Sequence, residues 1–142
     1  MAGEWNVAGD PRLPADLRVL VVDDNEDAAK SLGLLLEMHG PQVTVVHDGI
    51  SALDALPRIN PHAVLLDLGM PEMDGCEVAR CIRKDSRFSG ILLLALTGWG
   101  NEDCRRMTAE AGFDHHLVKP VDLHHLIGLL ATLSPREGVR TA

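Results

Sequence analysis

Five short aliphatic runs, LRVLVV (17–22), QVTVVH (42–47), AVLL (63–66), ILLLAL (91–96) and HHLV (115–118), alternate along the chain with segments of helical apolar spacing. The runs are nearly continuous instead of alternating, as in strands covered on both faces. Between and after them, Ala28, Leu32, Leu35 and Leu36 mark one helical face, and Ala52, Ala55, Leu56 and Ile59 mark a second. Val78, Ala79 and Ile82, then Cys104, Met107 and Ala111, then Leu123, Leu126, Ile127 and Leu130, mark three more. Pro57 predicts a short or distorted second helix, because proline lacks the N–H that a helix interior uses. A β-α order repeated five times predicts an α/β domain: a doubly wound, five-stranded parallel sheet with right-handed crossovers.

Composition supports that size and limits function. A chain of 142 residues fits one domain, and a domain of this length buries about two thirds of its unfolded surface without needing a metal or disulfide. With aromatics at 3% and no Tyr, the core must be aliphatic. The net charge of −8 opposes direct nucleic-acid binding, which rests on a basic patch that displaces counterions. Cys76, Cys81 and Cys104 are odd in number and lack zinc-type pairing, so reduced thiols in a cytoplasmic protein are expected. Residues 1–16 show neither a basic stretch nor an apolar core and are assigned to a flexible leader; residues 17–133 are the folded domain and 134–142 a flexible tail. No apolar run approaches the roughly 20 residues a membrane span needs.

The strand ends carry the chemistry, since ligands of open α/β sheets sit outside the carboxyl ends of the strands. Those ends are Asp23-Asp24, Asp67, Thr97 and Lys119. Three carboxylates in one shallow pocket repel, each pair by about 4 kcal/mol at roughly 4 Å and an effective dielectric near 20. One lysine does not offset them, so either a carboxyl stays protonated or a divalent cation binds. An all-oxygen set favours Mg2+ or Mn2+ over zinc. A hard cation, an ammonium and a hydroxyl around one carboxylate suit phosphoryl transfer, with Asp67 as nucleophile and Lys119 and Thr97 holding phosphoryl oxygens.

The motifs VLVVDDNE, LLDLGMPEMDG, LLALTG and LVKP, in that order, resemble the receiver domain of bacterial two-component response regulators, from about Leu17 to Leu133. LTGWG and AGFDHHLVKP are also similar to receivers appended to hybrid sensor kinases. The resemblance implies a flavodoxin-like (βα)5 fold, with Asp67 as phosphoacceptor and Asp23, Asp24, Asp67 and the Gly69 carbonyl as the Mg2+ set. It implies Thr97 as the switch hydroxyl, Lys119 as the phosphoryl-binding lysine, and a cis Lys119–Pro120 bond. The implied donor is a phosphohistidine on a sensor histidine kinase or histidine phosphotransfer protein. His116 departs from the family, standing where Phe or Tyr is usual three residues before the lysine.

Simpler roles are weighed beside these. Asp24-Asn25 could serve only as a helix cap. His115-His116 and His124-His125 are adjacent pairs whose side chains diverge, which disfavours a chelate. Trp99 could shield an acyl phosphate, and Cys76 and Cys81 are expected to pack. The nine residues after Leu133 leave no room for an output module, so output is expected through contact with a downstream protein or onward phosphoryl transfer, without turnover of a separate substrate. The alternative is an interaction module whose pocket is vestigial. A hydrolase acting on small phosphorylated molecules is disfavoured because no acid stands two residues after Asp67.

Overall fold

The structure, a computed structural model, describes residues 12–70, 73–98 and 100–133. In chain order the elements are β1 (Arg18–Val22), α1 (Glu26–Glu37), β2 (Gln42–Val46), α2 (Gly49–Ile59), β3 (Ala63–Asp67) and α3 (Gly75–Lys84). A short 3-10 turn (Ser86–Phe88) leads to β4 (Leu92–Thr97), α4 (Glu102–Ala111), β5 (His115–Val118) and α5 (Leu123–Leu130). All five strands form one parallel sheet in the order β2-β1-β3-β4-β5.

Alternation along the strands divides the core in two. Leu20, Val22, Val64, Leu66, Leu93 and Ala95 point to one face and pack with α2 and α3 residues such as Ala55, Leu56, Val78 and Ile82. Val19, Val21, Leu65, Leu94 and Leu96 point to the other, against Ala29 and Leu36 of α1 and Leu126, Ile127 and Leu130 of α5. Burial on both sides explains why the strands are continuous aliphatic runs. Each α-helix starts on an Asn or Asp whose side chain accepts an orphan N–H: Asn25, Asp48, Asp74, Asn101 and Asp122. At α3 the cap is reciprocal, with the Asp74 N–H donating to Glu77.

Four local expectations are corrected. The inward stripe of α1 is Ala29, Gly33 and Leu36, with Leu32 half-buried, while Ala28 and Leu35 are exposed. A Cβ at Gly33 would lie 3.0 Å from Val45 Cγ2, so the glycine lets α1 sit close on β2. On α4 the buried residues are Thr108 and Ala111, and Met107 faces solvent. Helix α2 is not short: it runs 11 residues through Pro57, which falls in the last turn, and closes on Asn60 at φ 51°. Leu13, assigned to the leader, is 4% exposed. Its side chain joins the core beside Leu17, and its N–H donates to the His39 carbonyl at 2.7 Å. Residues 1–11, Pro71, Trp99 and the tail 134–142 lie outside the described residues, as do the expectations made for them.

Candidate functional site

The site is built where β1 and β3, the central neighbours, run out at the same level: Val22 pairs with Leu66. Beyond Val22 the backbone stays tied to β2, with the Asp23 N–H donating to the Val46 carbonyl at 3.2 Å. Asp23 Oδ1 accepts the Asn25 N–H at 3.0 Å, and Asn25 Oδ1 in turn caps α1 through the Ala28 N–H at 3.0 Å. Asn25 therefore supplies the cap, and Asp24, which is exposed, is not spent on it.

Asp67 is the last residue of β3, pairs in register with Leu96, and is 8% exposed. The chain then turns: the Leu68 N–H donates to the Leu96 carbonyl and the Gly69 N–H to Asp67 Oδ1 at 3.2 Å. Gly75 lies beneath this turn, where a Cβ would stand 2.8 Å from the Asp67 carbonyl oxygen. Thr97 ends β4, is buried, and accepts the Lys119 N–H at 2.7 Å on its carbonyl. Its hydroxyl lies 4.0 Å from Cys104 Sγ on α4. The Lys119–Pro120 peptide bond is cis.

Four of the side chains converge. Single carboxylate oxygens of Asp23, Asp24 and Asp67 lie within 4.8 Å of one another, the one cluster of metal-type ligands among the described residues. Lys119 Nζ stands 3.4 Å from both Asp23 Oδ2 and Asp67 Oδ1. Burial pushes the Asp23 carboxyl up, and the neighbouring Asp67 pushes it further, while the Asn25 N–H and Lys119 pull the other way without prevailing. For Lys119, burial disfavours the charged ammonium, but the attraction of Asp67 and Asp23 outweighs it and its pKa is raised. The pocket thus holds more negative charge than one ammonium balances, in a cradle of hard oxygen donors. Such a donor set fits Mg2+ or Mn2+.

Three residues gain roles that the sequence motifs did not announce. His47, just past β2 on this same edge, places Nδ1 3.0 Å from the Asp23 carbonyl oxygen. Its signal was its position: the second strand also ends on the site edge. Cys104 reaches Thr97 by way of helix α4, which strand-end counting does not include. His116 is half-buried with Nδ1 3.2 Å from Thr108 Oγ1. Because the Thr108 hydroxyl donates to the Arg105 carbonyl at 2.9 Å, it accepts from His116 and ties β5 to α4. His115 is exposed, so the adjacent pair does diverge.

This fold with an acidic, lysine-bridged strand edge defines a class, and comparison with known proteins identifies it. Residues 19–131 match the family model described as "Response regulator receiver domain". The chain belongs to the response regulator receiver domain family. A relative described as "Response regulator MprA" from Mycobacterium sp. (strain KMS) is 38% identical over 126 residues, covering 86% of this chain and 54% of the relative. The chain spans about half the length of that relative. An uncharacterized 14.6 kDa protein of Leptolyngbya boryana is 37% identical over 116 residues, covering 82% of this chain and 88% of its own. Among solved structures, the Vibrio cholerae chemotaxis protein CheY4 superposes with a TM-score of 0.79 at 26% identity, covering 84% of this chain and 100% of that one. The signal receiver domain of a signal transduction histidine kinase from Syntrophus aciditrophicus gives 0.75 at 26% identity, covering 89% and 95%. In the described residues no helix is long and apolar enough to cross a membrane.

Proposed function

We propose that this receiver domain takes a phosphoryl group from a phosphohistidine onto Asp67 and signals by contact with a downstream protein or by passing the group on. The observation that carries the proposal is the Asp23–Asp24–Asp67 oxygen cluster bridged by Lys119 at 3.4 Å to two of its members. Asp23, Asp24, Asp67 and the Gly69 carbonyl would hold the divalent cation. When bound, Mg2+ neutralises charge that builds on the phosphoryl oxygens during transfer.

The residues of the chain do the rest. The Asp67 carboxylate attacks phosphorus in line; the phosphorus–nitrogen bond of the donor breaks, and its electron pair leaves with the imidazole. Lys119 balances one phosphoryl oxygen and Thr97 donates its hydroxyl to another. Hydrolysis of the acyl phosphate resets the site, so the domain acts on itself and turns over no separate substrate. The donors would be a sensor histidine kinase or a histidine phosphotransfer protein, as the likeness to a receiver appended to a histidine kinase supports. Three unpaired cysteines fit a reducing cytoplasm.

The test is the intact mass of the protein after incubation with acetyl phosphate, with and without Mg2+. A gain of one phosphoryl group that requires Mg2+ supports the proposal. A folded protein that gains none contradicts it and favours an interaction module with a vestigial pocket.

A further inference from the structure

The acidic pair is held from a direction the family motifs do not describe. Asp23 is the hinge between β1 and the loop that carries Asp24, and its two backbone polar groups are tied to the last residue of β2 and to the residue that follows it. Its N–H donates to the Val46 carbonyl at 3.2 Å. Its carbonyl oxygen lies 3.0 Å from His47 Nδ1. A carbonyl only accepts, so Nδ1 carries the hydrogen and the imidazole is the donor. His47 is half-buried and lines, with Asp24, Met70 and Met73, a surface cavity of about 290 Å3. One ring therefore grips the peptide that joins the two acids and borders the second of them.

The two bonds act on different atoms of the same residue. The bond from Asp23 to Val46 continues the sheet and sets how far β1 extends. The bond from His47 sets the plane of the Asp23–Asp24 peptide, because rotating that peptide would swing the carbonyl oxygen away from Nδ1. The direction in which the Asp24 side chain leaves the backbone follows from that plane. The Asp23 carboxylate accepts the Asn25 N–H on Oδ1 at 3.0 Å, a bond that closes the loop across the Asp23–Asp24 peptide and so depends on its plane, and meets Lys119 through Oδ2 at 3.4 Å. Asp24, exposed and without a capping role, has no comparable anchor of its own in the described contacts of the site.

We infer that His47 is a positioning residue for the acidic pair, fixing the Asp23–Asp24 peptide by its Nδ1–H bond so that the carboxylates stay arranged for a divalent cation. The inference rests on the metal reading above and extends it to a side chain that would touch neither metal nor phosphoryl group. Partners that orient metal ligands typically change affinity by about 10- to 100-fold when removed.

The test uses MgCl2 titrations by calorimetry on the wild-type chain and on His47→Ala, His47→Asn and His47→Gln, each checked for folding by its thermal melt. Asn places a side-chain N–H near where Nδ1–H was, whereas Gln extends past it toward the Nε2 position. The expected result is a dissociation constant raised about tenfold in His47→Ala and His47→Gln, and within about twofold of wild type in His47→Asn. Wild-type affinity in His47→Ala, or an equal loss in His47→Asn, overturns the inference. A general structural weakening would not separate Asn from Gln in this way. Amide hydrogen exchange in EDTA supplies a readout that needs no metal. Faster exchange at Asn25 in His47→Ala but not in His47→Asn supports the positioning role, and unchanged exchange overturns it. A wild-type chain that binds no Mg2+ contradicts the metal reading alone, and the exchange result then decides the role of His47.

Discussion

Lys119 Nζ lies 3.4 Å from Asp67 Oδ1, and this contact joins the end of β5 to the end of β3 across the intervening β4. The same ammonium meets Asp23 Oδ2 at 3.4 Å, so it stands between two carboxylates that repel each other. Its presence makes the cluster tolerable without metal and competes with a cation for the same charge. Lys119→Ala should therefore bind Mg2+ more tightly, by about three- to tenfold, because a like charge within a few ångströms has gone. Phosphorylation should nevertheless slow, since the phosphoryl oxygens lose their partner. Calorimetry and a phosphorylation time course check the two halves; weaker Mg2+ binding in the variant would contradict the electrostatic account.

The pKa of Lys119 is raised above 10.5 by Asp67 and Asp23 despite burial. A base with a raised folded pKa contributes stability that is complete below its unfolded value and lost as pH rises through the folded value. The wild-type chain should lose this contribution in the alkaline range above 10.5, and Lys119→Ala should lack that component. Paired urea melts across that range give the comparison.

His62 predicts a pH effect at the opposite end of the sheet. Burial, then the charge of Arg18, holds its pKa below 6.5, and Asp16 and the bond from the Arg18 N–H only partly offset this. That N–H donates to His62 Nδ1 at 2.9 Å, so the neutral ring is the one that fits. Stability from this group is complete above pH 6.5 and lost as pH falls through the depressed folded value. Asp23, whose pKa is raised, contributes in the other direction, so the clean measurement is the difference between wild type and His62→Asn at each pH. Asn keeps an acceptor for the Arg18 N–H but does not titrate. The difference should shift in favour of the variant as pH drops below 6.5; a constant difference would contradict the prediction.

Arg83 is a structural clasp well away from the site. Its Nε donates to the Gly112 carbonyl at 2.9 Å, and Nη1 to the carbonyls of Ser89 and Ile91 at 3.1 and 2.8 Å. Nη2 donates to Asp114 Oδ2 at 2.8 Å, and that oxygen also accepts the Leu93 N–H. One side chain thus links α3 to the entrances of β4 and β5. Arg83→Ala should cost about 2–4 kcal/mol in urea unfolding, since several acceptors lose charge-assisted bonds together. Arg83→Lys should recover only part of it, because a single ammonium cannot span the fork. Full recovery by lysine would show that charge, not geometry, matters.

Gly75 controls the height of Asp67. A Cβ there would lie 2.8 Å from the Asp67 carbonyl oxygen and 2.9 Å from Leu68 Cδ2, so backbone at Asp67 must move. Gly75→Ala should destabilise by roughly 1–3 kcal/mol and slow phosphorylation. Gly90→Ala, where nothing lies within 4 Å, is the control for both readouts.

Much of the architecture was visible in the sequence because short continuous apolar runs report strands buried on both faces and period-3.6 spacing reports the helices between them. The five strands and their alternation with helices follow from LRVLVV, QVTVVH, AVLL, ILLLAL and HHLV, and the strand-end polar residues follow from where those runs stop. Details set by tertiary contact were not visible. Counting apolar residues placed Leu35 inward, yet α1 turns Gly33 to the sheet, where a Cβ would stand 3.0 Å from Val45 Cγ2 and the absence of a side chain eases the close approach. Leu13 looked like part of a polar leader, since one apolar residue has no period, but it fills space beside Leu17. His47 and Cys104 were missed for a related reason: their partners are a backbone carbonyl and a hydroxyl on other elements, and no spacing along the chain encodes such contacts.

The central claim is that Asp67 is the phosphoacceptor, and reductive trapping tests it most directly. The chain is incubated with acetyl phosphate and Mg2+, treated with borohydride, which converts an aspartyl phosphate to homoserine, and sequenced by tandem mass spectrometry. The account predicts homoserine at position 67, and none anywhere in the chain for Asp67→Asn. Homoserine at Asp23 or Asp24, or at another residue with position 67 unmodified, would contradict it.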